Sequence, residues 1–325
     1  MDKMIINEYC YENTKERFKS AMFNNDRFVI PVSNVLVRDK NIVGNKAYNL
    51  SRVISIDQSI KIPCCAVVTT NSYHEFLSIL FDDNSVDYDA VCEFIKKIDE
   101  SNAESIRYNR EDLEHISSII QDSIINSDIF FGIMDEIRQQ SVIMRRYSNF
   151  EDSFSYAVRS SSVFEDSDNA SFAGQYVSFL DITQDIDLFI KKCWASLFNI
   201  DSLLYAKACG VKAEDIIHTG MGVIIQRMVK SNCRGVVFSI DPIYKLSNTM
   251  VIDIKHNKSD YIVRYNQLTK SVTVICSEEN AKNNDYIVSE TYRELYYQLL
   301  ILYIKENKDA SEWTNTIQQH GVSCS

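Results

Sequence analysis

Five short segments rich in β-branched residues follow one another after residue 220, and they constrain the fold more than any other feature. Segments of this kind, separated by turns, are typical of β-strands. They cover residues 222–229, 235–240, 250–254, 261–265 and 272–276. Between residues 86 and 146 apolar side chains recur instead at helical spacing. Helices and strands concentrated in different parts of one chain predict an α+β fold.

The remaining segments mix shorter helices and strands. We expect strands at 28–38, 66–70, 156–159 and 176–182, and helices at 44–54, 73–80, 190–205 and 292–307. We therefore divide the chain into an N-terminal lobe, 1–190, that carries the helical insert, and a strand-rich C-terminal lobe, 191–325, with a cleft between them.

Charge and cysteine usage narrow the class of protein. The 325 residues include 34 basic and 45 acidic side chains, a net charge of −11, which argues against a nucleic-acid-binding face. The first residues have no apolar core of signal-peptide length, and the longest apolar stretch, 295–304, is too short to cross a bilayer. Nine cysteines without a CxxC pair predict reduced thiols in a cytoplasmic protein.

Glycine is scarce, with eight in the chain, so a glycine in a turn is informative. Gly44 precedes a predicted helix and is followed by Asn45 and Lys46. A glycine lets the backbone approach a ligand, and a lysine near a helix N-terminus adds a mobile positive charge, so this turn suits a phosphate. The alternative is a surface lysine after an ordinary turn.

A second candidate follows the predicted strand that ends at Arg159. The guanidinium and the hydroxyls of residues 160–162 offer several donors to phosphate oxygens. Residues 170–175, Ala-Ser-Phe-Ala-Gly-Gln, are expected to form a flap over them. The alternative is a serine-rich turn in which Arg159 pairs with Glu165 or Asp166.

The last two candidates lie in the strand-rich part. Residues 223–229 and 235–242 either form an ordinary sheet or line an adenine slot, in which backbone groups near Met228 and Val229 read the edge of the base. Asp260, Asp309 and Glu312 are carboxylates of the kind that Mg·ATP requires, but a single acid among 45 is more often solvated surface, and residue chemistry alone singles out none of the three.

Taken in order, these segments resemble the N-terminal ATP-grasp-type domain of the phosphoenolpyruvate synthase and pyruvate phosphate dikinase family. Rifampin phosphotransferases and an amide-directed glutamine kinase resemble the same domain. The similarity runs from about residue 35 to residue 313 and rests on the blocks at 44–50 (Gly-Asn-Lys-Ala-Tyr-Asn-Leu), 62–76, 158–175, 193–198 (Cys-Trp-Ala-Ser-Leu-Phe), 226–229 and 235–242.

The resemblance implies an ATP-grasp-like fold of two lobes and a set of roles. Lys46 and Arg159 are expected to hold the ATP phosphates and to act in catalysis, and Asp260 and Glu312 to bind Mg²⁺. The nucleotide-binding positions that it implies are Gly44, Lys46, Arg159, Ser160, Ser161, Gly174, Gln175, Gln226, Met228 and Val229.

Three departures from the family pattern weaken this expectation. Residues 257–263, Asn-Lys-Ser-Asp-Tyr-Ile-Val, replace Gly-Leu-Gly-Glu-x-Val-Val, so Asp260 stands for a glutamate. The closing Asp-Ile-Glu-Trp appears only as 309–313, Asp-Ala-Ser-Glu-Trp. The Gln-x-Arg-Pro that should follow is reduced to Gln-Gln-His at 318–320, without the phosphate-binding arginine.

The function implied by the resemblance is transfer of a phosphoryl group from Mg·ATP to a small molecule or to a histidine on a separate partner protein. Two alternatives stay open: a nucleotide-binding or regulatory module with weak catalysis, and a fragment of a longer dikinase-like enzyme.

Overall fold

The computed structural model describes residues 28–56, 62–127, 155–164, 176–229, 233–256, 259–266, 268–269 and 272–276. The chain divides into two compact units, Met1–Ser55 with Lys61–Met228 and Ile56–Ile60 with Val229–Ser325. The division after Met228 differs from the boundary at 190 that the sequence suggested, because the strand at 222–227 pairs with strands of the first unit.

The first unit contains a five-stranded antiparallel sheet. Its strands are β1 (Val29–Pro31), β2 (Cys65–Val68), β3 (Tyr156–Ser161), β4 (Ser178–Ile182) and β5 (Gly222–Arg227), in the order β1-β2-β5-β3-β4. β5 therefore lies at the centre of the sheet, between β2 and β3, although it is the last of the five in the sequence.

Eight helices accompany the strands among the described residues. They are α1 (Lys40–Ile56), α2 (Thr70–Asp82), α3 (Tyr88–Glu100), α4 (Ala103–Tyr108), α5 (Arg110–Asn126), α6 (Ile186–Ala195), α7 (Ile200–Ala208) and α8 (Ala213–Thr219). Several begin at a side-chain cap: the Asp87 carboxylate, for example, accepts the N–H groups of Asp89 and Ala90 at the start of α3. None of the described helices is long and apolar enough to cross a membrane.

The two faces of this sheet carry different layers. Val158, Val223 and Ile225 belong to the larger core, together with residues of the helices from α2 onward. Val67 and Ile224 belong to a smaller core with residues of α1. Because successive side chains of a strand point to opposite faces, the sheet separates an α1 side from a side covered by the other helices.

The second unit contains a four-stranded antiparallel meander. Its strands are β6 (Cys233–Phe238), β7 (Thr249–His256), β8 (Ser259–Asn266) and β9 (Val272–Cys276), paired in that order. Among its described residues, the buried apolar ones are Val251, Ile252, Val263 and Tyr265.

The α+β class predicted from the sequence is confirmed, and two local predictions were wrong. The strand expected over 28–38 ends at Pro31, which has no backbone N–H to continue a ladder, and short 3₁₀ turns follow. The single helix expected over 190–205 is two helices, separated by a 3₁₀ turn at Ser196–Phe198 and a new cap at Asn199. The helix expected over 292–307 lies outside the described residues.

Candidate functional site

The turn at Gly44 breaks α1 and fixes where its longer segment begins. Gly44 has φ 76° and ψ 168°, whereas the other residues of α1 are helical. A Cβ atom added there would overlap the carbonyl group of Ser161 at the end of β3. Gly44 is therefore required both by its backbone conformation and by the close approach of another chain segment.

The end of β3 caps the helical segment that starts after Gly44. The N–H of Asn45 donates to the carbonyl oxygen of Ser162 at 3.0 Å, and the N–H of Ala47 donates to the Ser161 hydroxyl at 3.1 Å. Two of the N–H groups that a helix leaves unpaired at its start are thus used by the protein itself. A phosphate at this turn would depend on the nearby cationic side chains rather than on these two amides.

Lys46 lies between these anchored residues and reaches the same strand end. Its Nζ is 3.5 Å from the Ser160 hydroxyl, although the two residues are 114 positions apart in the sequence. Lys46 is half-buried and Ser160 is fully buried. The two sequence candidates that contain Gly44 and Arg159 therefore form one structural junction.

Arg159 lies on β3, two residues before Ser161, and faces the α1 side of the sheet. Its Cα pairs with that of Ile224 on β5, which packs against α1, and paired residues project to the same face. Arg159 is half-buried, and its guanidinium makes no hydrogen bond or ion pair with any described residue. Glu165 and Asp166, the acids of the structural alternative, lie outside the described residues.

Gln226, two residues after Ile224 on β5, also faces the α1 side. It pairs with Ala157 on one side and Cys65 on the other, and it is half-buried. Burial raises the pKa of the neighbouring Cys65 thiol to about 12, helped by Cys64, so Cys65 acts as a small apolar residue, as expected of these cysteines. Arg159 and Gln226 thus face one side of the sheet, whereas the Lys46 ammonium reaches the end of β3 at Ser160, whose Cα pairs with that of Val223 of the larger core.

The backbone N–H groups of the two residues after Gln226 already donate hydrogen bonds within the protein. The N–H of Arg227 donates to the carbonyl of Cys64 at 3.0 Å, and that of Met228 donates to the carbonyl of Ser155 at 2.9 Å. Val229 is 60% exposed and begins the second unit. The Met228 N–H already has a partner. Of the backbone groups expected to bind adenine, it is therefore not available to the base.

The predicted metal ligands are described only in part. Asp260 is the second residue of β8, and its Cα pairs with that of Lys255 on β7. Glu312, Gly174 and Gln175 lie outside the described residues. Within the part of the chain that the structure describes, no group of three or more His, Cys, Asp or Glu side chains could hold a metal ion.

Sequence reasoning missed two residues that shape the junction. The side-chain amide of Asn45 donates to the carbonyl oxygen of Val163 at 2.9 Å. A Cβ atom on Gly222, at the start of β5, would lie 2.6 Å from the carbonyl oxygen of Val43. The scarcity of glycine was the only available signal for Gly222, and the Asn45 contact spans 118 residues, beyond the reach of any local pattern.

Asp241, part of the last block of the resemblance, closes the turn that follows β6. One carboxylate oxygen accepts the N–H groups of Ile243 at 2.8 Å and Tyr244 at 2.9 Å, and the other accepts Arg264 Nε at 3.3 Å. The pKa of Asp241 lies below its ordinary value, chiefly because of the Tyr244 N–H, with burial opposing and Ile243 and Arg264 adding. This acid therefore has a structural role.

A family model and several known proteins are similar to this chain. Residues 40–299 match the family described as pyruvate phosphate dikinase, AMP/ATP-binding domain. A rifampicin phosphotransferase of Bacillus subtilis is 32% identical over 222 residues, 66% of this chain and 22% of that protein. A probable phosphoenolpyruvate synthase of Staphylothermus marinus is 27% identical over 240 residues, 73% of this chain and 27% of that protein. A phosphoenolpyruvate synthase of Aquifex aeolicus is 28% identical over 243 residues, again 73% of this chain and 26% of that protein. The chain spans about a quarter of the length of these relatives.

Proposed function

The chain belongs to the pyruvate phosphate dikinase AMP/ATP-binding domain family, and from this premise we propose that it binds Mg·ATP as the nucleotide-binding component of a phosphotransferase. The observation that carries the proposal is the position of two cations at the end of β3: Arg159 lies on that strand, and the Lys46 ammonium lies 3.5 Å from the hydroxyl of the next residue, Ser160. They come from distant parts of the sequence, and the Gly44 turn that carries Lys46 touches β3 at Ser161.

Arg159 supports a phosphate ligand most directly. Arg159 is half-buried, and among the described residues its guanidinium has no acceptor. Phosphate oxygens would supply the acceptors in a bidentate geometry that suits arginine. Lys46, held near Ser160, would supply the second positive charge, and the hydroxyls of Ser160 and Ser161 lie at the same strand end.

The adenine edge belongs to the end of β5 in this proposal. The side chain of Gln226 faces the same side as Arg159. Because the N–H of Met228 donates to Ser155, base recognition would fall to the Met228 carbonyl and to the backbone of Val229. Gly174 and Gln175 are proposed to belong to a flap over the phosphates. The two-lobed ATP-grasp arrangement is part of the same proposal.

Mg²⁺ is proposed to enter with the nucleotide. Such ions are held by one or two carboxylates together with substrate phosphates, so a dedicated cluster of protein ligands is unnecessary. Asp260 and Glu312 are the proposed ligands. Bound there, the ion would neutralise phosphate charge, whereas Lys46 and Arg159 would orient the phosphates and stabilise the charge of the moving group.

The acceptor is proposed to be a small molecule or a histidine on a separate partner protein, in the cytoplasm. A relative's phosphotransferase name does not fix the acceptor, because the matched region is about a quarter of that protein. Chromatographic analysis of ATP, ADP and AMP after incubation would separate a phosphotransferase, which consumes ATP once the acceptor is present, from a module that only binds it.

Calorimetric titration with Mg·ATP tests the site. We expect Lys46→Ala and Arg159→Ala each to weaken binding by about tenfold or more, since a hydrogen bond to a charged group contributes about 1.5–3 kcal/mol. Arg107→Ala, an exposed arginine on α4, is the matched control and should bind as the natural chain does. Unchanged affinity in both site variants would refute the assignment.

A further inference from the structure

We propose that Asn45 is a positioning residue for Lys46: its side chain pins the Gly44 turn to the segment after β3 and so sets where the Lys46 ammonium lies. This inference rests on the proposed function and deepens it.

Three hydrogen bonds join residues 45–47 to residues 161–163. The Asn45 N–H donates to Ser162, the Asn45 side-chain amide donates to Val163, and the Ala47 N–H donates to the Ser161 hydroxyl, all at 2.9–3.1 Å. Only the second of these needs a particular side chain at position 45. Asn45 is 8% exposed, so water does not readily replace that bond.

Lys46 is the residue that these bonds restrain. It lies between two anchored neighbours, and its Nζ ends 3.5 Å from the Ser160 hydroxyl, just before the anchored segment. A lysine side chain has many rotamers, and restricting its backbone lowers the entropy lost when the ammonium binds a phosphate. A glycine at position 45 would leave the turn with the two other hydrogen bonds alone and a more mobile backbone.

Asn45 could instead serve only the folding of the junction, and a double-mutant cycle separates the two roles. If Asn45 acts through Lys46, its removal weakens ATP binding in the natural background and has little effect once Lys46 is already alanine. A purely structural role would lower the melting temperature without this coupling in affinity.

The experiment measures Mg·ATP affinity by calorimetry and thermal stability for the natural chain, Asn45→Ala, Lys46→Ala and the double variant. We expect Asn45→Ala to weaken binding about fivefold, the order of the cost of immobilising one more flexible side chain on binding, and less than twofold in the Lys46→Ala background. Asn45→Gly should weaken binding at least as much as Asn45→Ala. Asn41→Ala, an exposed asparagine on the same helix, is the matched control and should leave affinity unchanged.

Each outcome decides a separate point. An equal loss of affinity in both Lys46 backgrounds, or no loss in Asn45→Ala, overturns the role of Asn45 while the nucleotide site stands. If Asn45→Ala fails to fold, Asn45→Gly, which also lacks the donor to Val163 and introduces no charge, takes its place and should show the same coupling. Absence of ATP binding by the natural chain overturns the proposed function, and the role of Asn45 falls with it.

Discussion

The turn at Gly44 and the turn at Asp241 are closed by opposite means. At Gly44 the backbone approaches Ser161 so closely that no side-chain carbon fits, and the contact depends on missing volume. At Asp241 a buried carboxylate receives three donors, and the turn depends on a charge. The first turn should therefore be sensitive to added atoms and indifferent to acid, whereas the second should tolerate an isosteric change and respond to protonation.

The difference also separates the proposed site from its scaffold. The Gly44 turn carries Lys46 and contacts the strand of Arg159, so its geometry bears on ligand binding. The Asp241 turn holds an acid whose oxygens already have protein donors within the second unit. An acidic residue inside a family motif is thus not by itself a candidate metal ligand.

The largest expected effect is that of Gly44→Ala. The new methyl group would overlap Ser161, and the residue would keep a positive φ, so we expect a loss of more than about 4 kcal/mol or failure to fold. Denaturant unfolding measures it. Gly210→Ala is the matched control: Gly210 has φ +80° with nothing within 4 Å of the added atom, so only the backbone cost of about 1–2 kcal/mol applies. Equal losses in the two variants would show that the close approach to Ser161 contributes nothing.

The next effect concerns the charge of Asp241. Asp241→Ala removes the acceptor of two backbone N–H groups and of Arg264, and should lower the melting temperature at neutral pH. Asp241→Asn keeps one acceptor oxygen and should lose less. If Asp241→Ala melts at the same temperature as the natural chain, the carboxylate does not stabilise the turn, and the contrast with the Gly44 turn is refuted.

The pH dependence of stability tests the charge of Asp241 more specifically. Because its folded pKa is lowered, its contribution to stability is present above the ordinary value of about 3.9 and is lost as the pH falls through the folded pKa. Denaturation midpoints between pH 7 and pH 3 should fall more for the natural chain than for Asp241→Asn. Parallel curves would mean that the carboxylate charge does not hold the turn.

A smaller effect is expected at the cap of α1. Ser161→Ala removes the hydroxyl that accepts the Ala47 N–H and should cost about 1 kcal/mol, with no dependence on acid pH. Ser178→Ala, an exposed serine on β4, is the control and should be near neutral. A cost that varied between pH 7 and pH 4 would contradict the view that the Gly44 junction is indifferent to protonation.

The smallest effect is expected from His74, the buried histidine of α2. Burial is the main cause that lowers its pKa; the contact of its Nε2 with the His218 carbonyl, at 2.8 Å, opposes the shift, and the charge of His218 adds to it. Its stability contribution is therefore present above about pH 6.5 and is lost as the pH falls through the lowered pKa. His74→Gln should flatten the stability curve of the first unit between pH 7.5 and pH 5. If the slope of stability against pH is unchanged in His74→Gln, His74 is not the source of the pH response.

Sequence reasoning found the junction in pieces. Gly44 and Arg159 were each singled out by local chemistry, and the structure brings their segments together. What local patterns could not supply was the pairing of residues 45–47 with residues 161–163, because such contacts depend on tertiary packing over more than a hundred positions. The roles of Gly174, Gln175, Asp260 and Glu312 stay predictions, as does the adenine edge.

The failures of prediction have local physical causes. The apolar residues after Pro31 led us to predict a longer strand. The strand instead ends at the proline, and two 3₁₀ turns follow. The residues around Asn199 read as one helix because apolar spacing continues through a cap. For β5 and β6 the sequence left two readings open, an ordinary sheet or an adenine slot. The two strands belong to different sheets, because a short connection in sequence does not require a hairpin.

The central claim is that ATP phosphates bind beside Lys46 at the end of β3 in the first sheet. An acyl-phosphate derivative of ATP tests it directly, since it acylates a lysine amine near the phosphates and peptide mapping identifies the residue. The account predicts that Lys46 is the principal labelled residue, that ATP protects it, and that Arg159→Ala reduces the labelling. Labelling spread over surface lysines such as Lys97, or principal labelling of Lys245 in the second unit, would contradict it.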